Sequence, residues 1–147
     1  DISELKNIFS DWHPEIQDIL EGTKPGSLYK WGLHDRAPMN KWSKGRFSLL
    51  GDAAHPMVPF LAQGAAMAIE DGIVLASSLS SFDNVAIGLD DYENKRKYRT
   101  AKAQRTAARN ATIFHLSDFL AIFRNLVMKF FIKKIMDSFY KYDAISK

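Results

Sequence analysis

The sequence predicts an α/β fold, or an α+β fragment of one, with a few strands and a mainly helical C-terminal half. Three observations point there. The short apolar run Arg46–Leu50 ends at Gly51-Asp52, as a buried strand ends at a ligand-facing sheet edge. Apolar residues recur at helical spacing from Gln63 to Leu79, and further helical patterns fill the chain from Asn84 onward. With 147 residues and 46% apolar content, the expectation from length is one domain with a modest core.

Taken in order, Ile2, Leu5, Ile8 and Phe9 fall on one helical face. A second short helix starts at Pro14, a residue suited to a first turn, turns Ile16, Ile19 and Leu20 inward, and ends across Gly22–Gly26. Leu28–Leu33 is rich in aromatic residues and reads as a strand; Arg36-Ala37-Pro38 then turns the chain, and Gly45 admits the strand Arg46–Leu50. Pro56 and Pro59 stiffen the next loop and push the residues before them out of helical angles, so the loop cannot coil directly into the helix over Gln63–Leu79. Asp83 is a suitable N-cap for a long helix from Asn84 to near Thr112. Its later turns read as solvated, because Lys95, Arg96, Lys97, Arg99, Lys102, Arg105 and Arg109 form a cationic block with no acid among them. From Ser117 a tail helix or helix pair carries Phe119, Ile122, Phe123, Leu126, Phe130 and Phe131, interrupted by Arg124, Lys129, Lys133 and Lys134.

Composition removes several functions. The chain has no cysteine, so disulfides, thiolate metal sites and a cysteine nucleophile are excluded, which fits a cytoplasmic protein. His13, His34 and His115 show no metal-ligand spacing, and no metal is assigned. A net charge of +3 with no recognised motif argues against a nucleic-acid partner. No apolar run approaches the roughly 20 residues of a transmembrane segment. The chain begins at Asp1 without Met, and the expectation is a soluble piece of a longer protein.

The segment Gly51–Gly72, GDAAHPMVPFLAQGAAMAIEDG, concentrates the chemistry. Gly51 lets backbone approach closely at the strand end. Gly64, Ala65 and Ala66 leave little side-chain bulk at the first helical turn, where free N–H groups and the positive end of the helix dipole suit an electron-rich ligand. The same small residues would also permit tight helix packing, and the residues by themselves leave both readings standing. His55 invites a general-base role, yet packing or a backbone hydrogen bond would hold it equally well beside Pro56.

This segment resembles the second FAD-binding motif of the class A flavoprotein monooxygenases, the aromatic-ring hydroxylases, most closely their salicylate hydroxylase-like branch. Flanking residues agree. Leu33-His34-Asp35-Arg36-Ala37-Pro38 looks like the L-x-D-R-x-P segment, and Trp42 with Gly45-Arg46 like W-x-x-G-R. Leu89 to Arg99 is similar to the L-x-x-Y-E-x-x-R-x-x-R helix, and Phe139 to Ala144 to the aromatic-Tyr-x-Tyr-Asp-Ala ending.

The resemblance implies a C-terminal portion of a Rossmann-like FAD-binding fold, from an enzyme roughly twice as long whose N-terminal Rossmann half supplies G-x-G-x-x-G, absent here. Its parts would be the end of a substrate-domain sheet and crossover (1–45), the C-terminal part of the FAD-binding domain (46–115) and a helical tail (116–147). Asp52 would bind the ribityl region of FAD. Pro59 would lie beside flavin and substrate, and Gln63, Gly64, Ala65 and Ala66 would present backbone amides to the flavin ring. Met57, Val58, Pro59 and Phe60 would shape the substrate side.

The implied reaction consumes NADH or NADPH and O2 and hydroxylates a small aromatic substrate through a flavin hydroperoxide. Exposed strand edges and an exposed apolar face are expected, with the apolar tail covering the domain or a partner subunit, as in a homodimer of the full-length enzyme. Two other readings stand beside this one. The first is a different flavin monooxygenase, an epoxidase or ubiquinone-ring hydroxylase; the second is a non-catalytic remnant with a basic helical surface for a membrane or protein partner.

Overall fold

A computed structural model describes residues 2–145 of the chain. The chain divides into two compact units, Asp1–Leu33 and His34–Lys147. Within the second unit, the N–H groups of Trp42 and Ser43 donate to Glu93.

In the first unit, helix α1 (Ile2–Ile8) is followed by α2 (Pro14–Glu21). Pro14 occupies the first turn as expected, the His13 ring accepts the Glu15 N–H, and the Gly22 N–H closes the helix on Asp18. Phe9 and Trp12 meet edge to face, and Gln17 Nε2 donates to the Phe9 carbonyl. Leu28–Leu33, expected as a strand, forms none. A strand needs a neighbour for its backbone groups, and none pairs with this segment among the described residues; Tyr29 and Trp31 are 70% and 80% exposed.

The second unit is built on two helices, α3 (Gly64–Ser81) and α4 (Val85–Phe114). Asn84 rather than Asp83 caps α4: its side-chain oxygen accepts the N–H groups of Ala86 (2.9 Å) and Ile87 (3.4 Å). The two helices close against each other at Gly88, where an added Cβ would lie 3.2 Å from the Ser78 carbonyl oxygen and 3.2 Å from Leu79 Cδ2. The later turns of α4 are packed, contrary to the solvated face expected from its charge. Arg96, Thr100, Ala103 and Ala107 have no exposed surface. Two apolar clusters each draw on both helices: Trp42, Ala54, Val74 and Tyr92 form one, and Leu61, Met67, Ala103, Ala107 and Phe139 the other.

The strand expected over Arg46–Leu50 is reduced to β2 (Phe47–Ser48), paired antiparallel with β1 (Ser43–Lys44) across a turn in which Gly45 has φ +61°. No wider sheet is present among the described residues for it to join. Irregular backbone on either side of the hairpin is satisfied by polar side chains of α4. Tyr92 donates to the Leu49 carbonyl (3.2 Å), Gln104 to those of Arg36 and Pro56 (3.0 Å each), and Asn110 to that of Phe60 (2.9 Å).

The tail is one continuous helix, α5 (Asp118–Tyr140), not a pair, and Phe139 is its one buried residue. Phe119, Ile122, Phe123, Leu126 and Phe130 form an exposed stripe, each more than half accessible, in line with the apolar face expected. None of the helices among the described residues is long and apolar enough to cross a membrane.

Because α3 and α4 meet at backbone distance, Gly88→Val is expected to destabilise the protein by about 2 kcal/mol through overpacking. Chemical denaturation monitored by circular dichroism checks this; unchanged stability would contradict the close approach.

Candidate functional site

The segment Gly51–Gly72 folds as two short 3-10 turns, Gly51–Ala53 and Pro59–Leu61, leading into α3. Gly51 is required twice over. Its φ is +59°, and a Cβ there would approach the Ala68 side chain to 3.2 Å. The chain re-enters helix through Ala62, at φ +53°, and Gln63, whose side chain makes no capping bond. The first turn of α3 thus keeps its N–H groups free of a side-chain cap and carries no acidic residue.

Asp52 is exposed in the first turn and comes to the start of α3: a Cβ on Gly64 would lie 4.0 Å from Asp52 Oδ1 and 4.0 Å from Met57 Cγ. Pro59 and Ala65 are exposed, Ala66 is half-buried and Gln63 is buried. Met57 and Val58 pack partly against the cluster around Met67, and the Phe60 ring meets Phe114 and His115 edge-on. The structure therefore brings Asp52 to the bare helix start, with Pro59 and Ala65 on the same exposed segment.

His55 lies elsewhere. Its ring is fully buried beside Trp42, and Nε2 is 2.6 Å from Asp71 Oδ2. Asp71 is itself fully buried and takes three hydrogen bonds: from His55, from the Gly51 N–H (3.1 Å) and from Arg96 Nε (2.7 Å). Burial pushes its carboxyl upward, but those three donors outweigh burial and hold it below the usual range. Arg96, also without exposed surface, stays fully charged: burial opposes the charge, and Asp71 with Glu70 overcomes it. Its Nη1 lies 2.7 Å from Glu70 Oε2 as an ion pair out of line for a hydrogen bond.

Glu70 also takes a two-pronged grip from Arg99 at 2.7 and 2.6 Å. Arg99 in turn donates to the Phe139 carbonyl (3.0 Å) and lies under the Tyr142 ring, 3.9 Å from its centre. Two members of the cationic block are consequently spent on α3 rather than offered to phosphate or lipid. Arg36 donates to the carbonyls of Ala53 (2.8 Å) and Ala54 (3.1 Å). Sequence reasoning missed Glu70 and Asp71. The available signal was an acidic pair in the middle of an apolar helix, which costs too much to bury without cations.

A family model described as "FAD binding domain" matches residues 4–107. The chain belongs to this FAD-binding domain family. The resemblance to the class A aromatic-ring monooxygenases is borne out by relatives of known activity. The chain is 45% identical over 109 residues to 6-hydroxynicotinate 3-monooxygenase of Pseudomonas fluorescens, covering 73% of this chain and 28% of that protein. It is 34% identical over 139 residues to 3-hydroxybenzoate 6-hydroxylase of Klebsiella oxytoca, covering 94% and 34%.

Among solved structures, HpxO of Klebsiella pneumoniae in complex with FAD and uric acid superposes with a TM-score of 0.81 at 27% identity, over 93% of this chain and 36% of that one. A salicylate hydroxylase substrate complex shares the fold, with a TM-score of 0.73 at 24% identity over 97% and 35%. The chain therefore spans about a third of the length of its relatives, less than the half expected from sequence.

The low value held by Asp71 has a definite sign in stability. Its contribution is complete above about pH 4, where the unfolded carboxyl ionises, and is lost as pH falls through the lower folded value. Asp71→Asn is expected to cost about 3 kcal/mol near neutral pH by stranding Arg96, and to flatten the acid limb of a melting temperature against pH curve. An acid limb unchanged in the variant would remove Asp71 from that role.

Proposed function

We propose that the full-length protein is an FAD-dependent monooxygenase that hydroxylates a small aromatic acid with NADH or NADPH and O2. The observation that carries this reading is the exposed Asp52 carboxylate at the uncapped first turn of α3, in a chain of the FAD-binding domain family.

The residues present fit FAD. Asp52 is an acceptor suited to ribityl hydroxyls, and the N–H groups of Gly64, Ala65 and Ala66, with the helix dipole behind them, suit the electron-rich edge of the flavin ring. FAD held there would supply the redox and oxygen chemistry. The chain's own task is to orient and to exclude water. Pro59 is a rigid, exposed residue of the loop between Asp52 and the helix start, and the half-buried Met57, Val58 and Phe60 give that loop apolar bulk.

The relatives' names point to hydroxylated or aminated benzoates and pyridine carboxylates, and a ring of that class is the proposed substrate. Binding of the ADP part belongs to a Rossmann half with G-x-G-x-x-G, which these 147 residues do not contain. A homodimer of the full-length enzyme fits the same reading.

With the full-length protein, NADH or NADPH consumption is expected to rise on adding one member of a panel of hydroxybenzoates and hydroxypyridine carboxylates, with a hydroxylated product seen by mass spectrometry. No bound flavin and no stimulation by any ring acid would sink the proposal. Asp52→Ala is expected to weaken FAD about tenfold or more, the loss of one charge-assisted hydrogen bond, read by flavin fluorescence titration. The 147-residue chain alone is expected to leave gel filtration without flavin; a stoichiometric flavin spectrum would show that it holds the cofactor unaided.

A further inference from the structure

The turn that carries Asp52 is gathered at both ends by one oxygen. Asp71 Oδ2 accepts the Gly51 N–H immediately before Asp52 and faces His55 Nε2 just after the turn. Within the turn, the Gly51 carbonyl accepts the N–H groups of Ala54 and His55, both at 2.9 Å. The opposite oxygen of Asp71 is held by Arg96 Nε at 2.7 Å, which fixes the rotation of the carboxylate. Asp71 stands on α3, about two turns beyond Gly64. A single rigid element therefore presents the bare helix start and also grips the turn bearing Asp52. None of the three side chains His55, Asp71 and Arg96 has exposed surface, so none can touch a ligand in solution.

We infer that His55, Asp71 and Arg96 are positioning residues for the cofactor: together they fix the Asp52 carboxylate relative to the first turn of α3, and His55 acts as a hydrogen-bond donor to Asp71 rather than as a general base. This rests on the proposed FAD site. With Asp71 ionised, His55 Nε2 is the donor, and what the arrangement requires of residue 55 is an N–H at that point. Glutamine places its amide nitrogen at nearly the same reach; methionine has similar length and no donor.

The test uses full-length protein with His55→Gln and His55→Met, measuring the FAD dissociation constant by fluorescence well below the melting temperature, the visible spectrum of bound flavin, and the melting temperature of the apoprotein. H55M is expected to raise the dissociation constant at least tenfold and to alter the bound-flavin spectrum, while H55Q stays within fivefold of wild type. A purely structural role would instead lower the apoprotein melting temperature in H55M and leave FAD affinity unchanged, and that result overturns the inference. If H55M shows no cooperative melt, H55Q decides: affinity within fivefold supports the donor role, and a larger loss overturns it. Wild-type protein that binds no FAD would instead defeat the flavin reading itself, a separate outcome.

Discussion

The second unit depends on a carboxylate that is expensive to bury. Asp71 lies where no water reaches, and its charge is tolerated because every direction around it offers a donor: backbone from Gly51, a ring nitrogen from His55, and a guanidinium from Arg96. Burying one member of such a set without the others would leave an uncompensated charge. The loop, α3 and α4 must therefore be in place together. Glu70 and Arg99 repeat the arrangement one residue away, so the two helices are joined by two acids and two arginines rather than by apolar contact alone.

The same economy governs the loop over residues 39–62, which has only two short strands and two 3-10 turns and yet must bury backbone. Helix α4 acts as its missing neighbour. Tyr92, Glu93, Gln104 and Asn110 each offer a polar atom to a loop N–H or carbonyl, at intervals along the helix. This leaves the loop with a fixed path and only the short β1–β2 pair for a sheet, and it leaves Asp52, Pro59 and Ala65 facing outward. The groups proposed to meet a ligand are the ones these internal bonds do not consume.

Much of this was legible in the sequence where the determining physics is local. Pro14, Gly22 and the small residues at Gly64 to Ala66 mark helix ends by their own conformational limits, and the structure has them there. The ordered motifs around Gly51–Gly72 carried the family. What was not legible depends on partners distant in the chain. Leu28–Leu33 has strand composition, but a strand is a property of two segments. Arg96 and Arg99 looked solvated because the acids that bury them stand 25 and 29 residues earlier, outside any helical window. His55 looked chemical for the same reason: its partner is Asp71, and nothing in the residues around it announces that.

The arginine pair also sets an order in time. Glu70, Asp71, Arg96 and Arg99 are all synthesised before the Phe139 carbonyl and the Tyr142 ring that complete the surroundings of Arg99. At about 5–20 residues per second, the 40 residues from Arg99 to Phe139 take on the order of seconds to emerge from the ribosome. Until those residues are made, Arg99 has Glu70 as its partner and lacks the Phe139 carbonyl and the Tyr142 ring, so its contacts with the tail are the last of its contacts to become available.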